Sequence, residues 1–182
     1  LTTSDDVRLH YETRGAGKPG WLGLREFTQN RYPKLWPAFE TYFPNGLTNS
    51  LGERITDRLL GGAFSALEAA GVRAADLTVA FVPGAFELPF AARRLAASGR
   101  CDAVVCLGAV VRGGTPHFDY VAGEAARGIA RASEETGVPV LFGVLTTDNA
   151  RQALDRSGGR LGNRGADVAR ATGLAPGAKF AG

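Results

Sequence analysis

The chain has 182 residues, a net charge of +3, and is 45% hydrophobic and 21% charged, which is ordinary for a globular protein and enough for one domain with a sizeable core. No apolar run approaches the ~18 to 20 residues of a membrane span, and a small net charge from scattered basic residues argues against nucleic acid as a partner. The opening LTTSDDVRLHYETRG has no apolar core, so no secretory signal is expected there. Cys101 and Cys106 read as buried free thiols in a reducing, cytoplasmic setting, not as a metal site or a disulfide framework.

In chain order, residues 1–48 come first and read as an atypical N-terminal extension, holding both tryptophans and half of the aromatic residues. The aromatic-rich part, 21–48, is a candidate for packing on a neighbouring subunit or for supplying an edge strand. Residues 49–182 read as one α/β domain. Ile55, Leu59, Ala63, Leu67 and Ala70 recur at spacings of three and four, a helix stripe over 55–70 that Gly71 stops. DLTVAFV (76–82) is a short β-rich run. LPFAARRLAAS (88–98) is again helical and ends at Gly99. DAVVCLGAVV (102–111) is apolar nearly throughout, as a strand buried on both faces is. Residues 118–136 read as a long helix, VPVLFGVL (138–145) as another buried strand, and 149–157 and 163–172 as two closing helices. This alternation predicts a parallel sheet with helices on both faces, and ligands in such sheets bind outside the carboxyl ends of the strands.

Three strand ends therefore carry the interest. After the first comes PGAFELP (83–89), where Glu87 stands just before a helix. Its carboxylate either complements the helix dipole or accepts hydrogen bonds from a ligand's hydroxyls. After the second comes RGGTPHFDY (112–120). Gly113 and Gly114 let the backbone approach a ligand, Thr115 suits an N-cap and Pro116 a first helical position, and exposed N–H groups at a helix start favour an anion such as phosphate. His117 follows in the first helical turn, a titratable group beside that anion-ready turn. After the third comes LTTDN, an N-cap cluster. Beyond it stand Arg151, Arg156, Arg160 and Arg164, either as helix-surface charges or with one of them completing the phosphate site through its planar guanidinium.

Together the stretches ITDRLLGGA, VPGAFELP, LGAVVRGGTPHFDYVAGEAARGIA, TGVPVLFGVLTTDN and QALDRSGGRLGNRGADVA resemble, in order and spacing, blocks of the lumazine synthase family of the riboflavin pathway, over about residues 54–172. The resemblance implies a transferase that condenses 5-amino-6-(D-ribitylamino)uracil with 3,4-dihydroxy-2-butanone 4-phosphate, giving 6,7-dimethyl-8-ribityllumazine, phosphate and water, with no metal or organic cofactor. It implies a flavodoxin-like three-layer α/β/α sandwich around a four-stranded, mainly parallel sheet. It also implies homopentamers, in some members paired or built into icosahedral shells, with active sites between subunits. By motif match, Ala85, Phe86 and Glu87 hold the ribityl chain and pyrimidine, and Ala109, Val110 and Val111 lie beside the ring. Gly114 and Thr115 form the phosphate turn, His117 transfers protons, and Arg156 binds phosphate. Phe142 is the aromatic supplied by the neighbouring subunit, and Arg164 stands where many members carry lysine. The position of the family's ring-stacking phenylalanine falls on Leu51. That departure, with the foreign N-terminus, motivates an alternative: an oligomeric shell or paralogue with altered or lost activity.

Overall fold

The computed structural model describes residues 11–13, 50–173 and 180–181, and the order of elements along them is strand and helix in alternation. The strand Tyr11–Thr13 (β1) comes first, then helix Ser50–Ala69 (α1), strand Leu77–Ala80 (β2) and helix Leu88–Ala96 (α2). Strand Ala103–Val111 (β3), helix His117–Thr136 (α3), strand Val140–Thr147 (β4) and helix Ala150–Arg156 (α4) follow. A small hairpin of Ser157–Gly159 (β5) and Gly162–Asn163 (β6) leads into helix Arg164–Ala171 (α5), and Phe180–Ala181 (β7) is the last strand.

The apolar stripe of α1 faces the core: Ile55, Leu59, Ala63 and Leu67 are all buried. The helix ends where Gly71 takes a left-handed φ of 86°, a conformation costly for any residue with a Cβ. The helix begins at Ser50, upstream of the stripe, so Leu51 lies in its first turn. The extension 21–48, a candidate edge strand, lies outside the described residues.

The main sheet has order β1-β2-β7-β3-β4. β2, β7, β3 and β4 run parallel and β1 pairs antiparallel to β2 at one edge, Tyr11 opposite Ala80. Among the described residues the sheet has five strands where four were expected: the three read as apolar runs, with β1 and β7 added to them. Neither added strand has an apolar pattern to announce it. β7 is two residues long and sits between β2 and β3, with Phe180 opposite both Leu77 and Ala103. The β3–β4 ladder is the long one, from Val104↔Val140 to Val111↔Thr147. The Arg112 N–H extends it by donating to the Thr147 carbonyl at 2.8 Å.

β3 is buried on both sides, which explains its apolar composition. Ala103 and Val105 join Ala63, Leu67 and Val72 with Val168 and Ala169 of α5 in one core. Val104 and Cys106, one residue out of phase, join Ala92 and Ala96 of α2 with Ile129 and Ala132 of α3 on the other face. Helices therefore cover both faces of a largely parallel sheet. No described helix is long and apolar enough to cross a membrane.

Both thiols are buried and free. Burial pushes Cys106 up to about 12 from the usual thiol value of 9.0, and burial, with a smaller push from Asp102, raises Cys101. Between those two values for Cys106 the unfolded chain binds fewer protons than the folded one. The stability that its burial contributes is present in full below pH 9 and falls as pH climbs towards 12. Cys106→Ala should flatten this alkaline slope by up to ~1.4 kcal/mol per pH unit in urea unfolding, whatever its offset from the lost sulfur. Parallel slopes for parent and variant would contradict it.

Candidate functional site

β2, β3 and β4 are parallel through β7 and the β3–β4 ladder, so their carboxyl ends open on one end of the sheet. A 3-10 turn at Ala85–Glu87 follows β2, closed by Glu87 N–H donating to the Gly84 carbonyl at 3.3 Å. It packs against β3 and α3, which brings Ala85, Phe86 and Glu87 beside the helix that starts at His117. Phe86 is 56% exposed.

β3 delivers Ala109 and Val110, both half-buried, and the exposed Val111 to the same end. Gly113 to His117 are exposed, and a Cβ at Gly113 or Gly114 would meet nothing within 4 Å. The start of α3 differs from expectation by one position: Pro116 is the N-cap residue and His117 the first helical one. Thr115 therefore stands one residue before the cap, and no side chain caps the helix. His117 projects from a helix start into solvent.

The second group is separate. Phe142, Val144, Leu145, Thr146 and Thr147 of β4, with Arg156, Leu161, Arg164 and Asp167, line a pocket of about 430 Å³. β4 pairs with β3 on one side and, among the described residues, has no strand on the other. The pocket therefore lies along an open sheet edge. Arg156 is placed at the end of α4, whose start is fixed by Asn149. The Asn149 side chain accepts from Gln152 N–H at 3.0 Å, while the Gln152 side chain accepts from Asp148 N–H at 3.0 Å. A cation at a helix carboxyl end complements the dipole. The Arg156 guanidinium donates to the Gln152 carbonyl at 3.1 Å. Arg164 opens α5, and its position is set by Asn163, which caps Ala166 N–H at 3.2 Å and donates to the Arg58 carbonyl of α1 at 2.6 Å. Among the described residues neither Arg156 nor Arg164 is in an ion pair, whereas Asp167 is paired with Arg170 at 3.2 Å. Two cations without carboxylate partners on one cavity suit an anion.

The structure thus divides the residues singled out from the sequence. Phe142, Arg156 and Arg164 meet in the β4-edge pocket. Ala85, Phe86, Glu87, Ala109, Val110, Val111, Gly114, Thr115 and His117 gather at the strand ends and do not line it. Leu51 is in the first turn of α1. Sequence reading missed Leu161, Thr146 and Asp167 as pocket walls. Only the Gly158–Gly162 spacing hinted at the tight hairpin that carries Leu161, where both glycines take positive φ, 110° and 79°. Arg160, also a candidate, is paired with Asp155 at 3.2 Å.

Comparison with known proteins adds an independent line. The sequence model of the 6,7-dimethyl-8-ribityllumazine synthase family matches residues 49–173. Curated relatives from Desulfatibacillum aliphaticivorans and Desulfotalea psychrophila, both named 6,7-dimethyl-8-ribityllumazine synthase, are each 56% identical over 115 residues. Each match spans 63% of this chain and 74% of the relative.

Proposed function

The chain belongs to the 6,7-dimethyl-8-ribityllumazine synthase family, and from that premise we propose that its two groups of site residues are complementary halves of one active site, completed when two copies meet. As a member of that family it is a transferase of riboflavin biosynthesis, joining a ribitylaminouracil to a four-carbon keto phosphate with loss of phosphate and water. The observation that carries the two-halves reading is the pocket on the open β4 edge, which holds Phe142, Arg156 and Arg164 but none of the strand-end residues. Each half alone lacks something the chemistry needs. Among the described residues, the strand-end half offers Glu87 and a proton carrier in His117 without a cation free for phosphate. Among the same residues, the β4-edge half offers two cations outside any ion pair and an aromatic, without a histidine.

In the joined site, Glu87 accepts from the ribityl hydroxyls and the backbone of Ala85–Phe86 and Ala109–Val111 borders the ring. The Gly114–Thr115 turn and Arg156 hold the phosphate, with Arg164 nearby. Phe142 covers the ring, a task Leu51 at the start of α1 cannot do with a π-face. Schiff-base formation, phosphate elimination and ring closure each move a proton, which the imidazole of His117 can carry. Bringing two substrates together contributes much of the rest. The same association fits a closed ring of copies, a pentamer in the family-wide pattern, in a flavodoxin-like sandwich.

Mixing variants tests this. His117→Ala is expected to lower kcat about tenfold, below the usual general acid–base contribution because the exposed site admits water as a substitute proton carrier. Arg156→Ala breaks the other half. Unfolded together and refolded at equal ratio, the two variants should recover roughly a quarter of parental activity, since random association rebuilds sites with both halves intact. Recovery no greater than the mean of the two variants alone would mean that each chain holds its whole site.

A further inference from the structure

We propose that Arg112 is a positioning residue that clasps the Gly113–His117 turn shut at both ends and so pre-shapes it for the phosphate of the substrate. The proposal rests on the reading of Gly114–Thr115 as the phosphate turn.

Arg112 is the first residue after β3. Its own backbone is fixed by the bond to the Thr147 carbonyl. Its guanidinium reaches across the turn and takes Asp119, in the first turn of α3, in a two-point grip: one terminal nitrogen donates to Asp119 Oδ1 at 3.0 Å and the other to Oδ2 at 3.3 Å. Its Nε donates to Asp148 Oδ1 at 3.3 Å, in the loop between β4 and α4. The guanidinium carbon stands 4.1 Å from the centroid of the Phe118 ring. One side chain thus joins the end of β3, the start of α3 and the loop that leads to the helix carrying Arg156.

Among the described residues no other side chain ties the turn it spans, whose Pro116 carbonyl accepts from the Asp119 N–H at 3.0 Å. Two of its residues, Gly113 and Gly114, have open space where a Cβ would be, and no side-chain hydrogen bond holds Thr115, Pro116 or His117 among the described residues. Glycine-rich turns have many alternative conformations, so an anion meeting an unclasped turn would have to order it first. The clasp also balances charge. Asp119 and Asp148 are carboxylates flanking a site for a phosphate, and hydrogen bonding to Asp119, followed by that to Asp148, ties the guanidinium to both and raises its pKa further. A lysine cannot reproduce the grip, because it offers a point charge where Asp119 takes a planar fork and Asp148 a third donor.

Exposed ion pairs add little to folding stability, and all three side chains here are exposed, Arg112 the least at 43%. The clasp therefore predicts a functional loss without a folding loss. Arg112→Lys should raise KM for the phosphorylated substrate about tenfold, with KM for the uracil substrate unchanged within about twofold and the melting temperature unmoved. Asp119→Asn should produce the same split. The double variant should be no worse than the worse single one, because both changes open the same clasp. Additive losses, or a normal KM for the phosphorylated substrate in Asp119→Asn, would overturn the proposal and make Arg112 a direct phosphate ligand. Gly114→Val separates the two layers of the argument. If it leaves that KM unchanged, the phosphate-turn reading fails. If it raises that KM while Arg112→Lys and Asp119→Asn do not, the turn stands and the clasp fails.

Discussion

Arg156→Ala should lower kcat/KM for the phosphorylated substrate by about 100-fold, chiefly through KM, with the fold intact. A pair of charge-assisted hydrogen bonds from a planar guanidinium to phosphate contributes about 3 kcal/mol, which is roughly that factor. Arg156 is half-buried on the β4-edge pocket and has no carboxylate partner among the described residues, so its charge is not already spent within the protein. Its one side-chain bond there is to the Gln152 carbonyl in its own helix, so truncation leaves no buried carboxylate stranded and only a modest stability change is expected. Arg156→Lys should fall between the two, keeping a point charge and losing the fork. Steady-state kinetics with each substrate varied in turn, read by phosphate release, measures both. An unchanged KM for the phosphorylated substrate in Arg156→Ala would remove Arg156 from the anion site.

Arg164, across the same pocket, is a harder case by design. It is exposed and stands at the start of a helix, where a cation is disfavoured by the dipole. A cation kept there against the dipole fits a long-range role in drawing in an anion, and its contribution should weaken with salt more steeply than that of Arg156.

Much of this was legible in the sequence, for reasons that differ by element. The α1 stripe is readable because one face of that helix meets the sheet and the other meets water. β3 is readable because both its faces are covered, so nearly every residue from Ala103 to Val111 is apolar. The strand ends were readable because glycine, proline and polar residues break those apolar runs abruptly. β7 was not readable: two residues have no period, and only the register with Leu77 and Ala103 makes Phe180 part of the sheet. β1 was hidden for the same reason. The candidate residues could be named from the sequence, but their relative placement could not. Nothing in the spacing between His117 and Arg156 says that the first projects from a strand end and the second lines a cavity on the sheet edge. The ties of Arg112 were equally hidden, because its partners Asp119 and Asp148 become neighbours only when β4 lies beside β3.

The joint between α1 and α5 gives the largest expected effect on stability. Gly165→Ala should destabilise the fold by about 3 kcal/mol or more, because a Cβ there would collide with the backbone carbonyl of Leu59. Backbone, unlike the tip of a side chain, cannot swing aside, so one helix must move bodily. The helices are held at that spacing from both sides. Asn163 lies against Gly62 on α1 and donates to the Arg58 carbonyl at 2.6 Å, and Leu59 beneath is wholly buried. Moving α5 outward would stretch that bond and open the core around Val168 and Ala169. Gly123→Ala in α3 serves as the matched control. Its Cβ would meet only the flexible guanidinium of Arg127, at 3.3 Å. There the usual helical preference for alanine applies, and a gain of up to about 1 kcal/mol is expected. Urea unfolding of the two variants should therefore move in opposite directions from the parent. If Gly165→Ala proved as stable as Gly123→Ala, the close approach of α1 and α5 would not exist in solution. The position of Arg164, which that approach fixes, would then be free to change. Because Arg164 begins the helix that Gly165 seats, a milder outcome of the same substitution is also specific. A folded Gly165→Ala protein should show weakened binding of the phosphorylated substrate with turnover at saturation nearly kept, the signature of a displaced cation and not of a lost proton carrier.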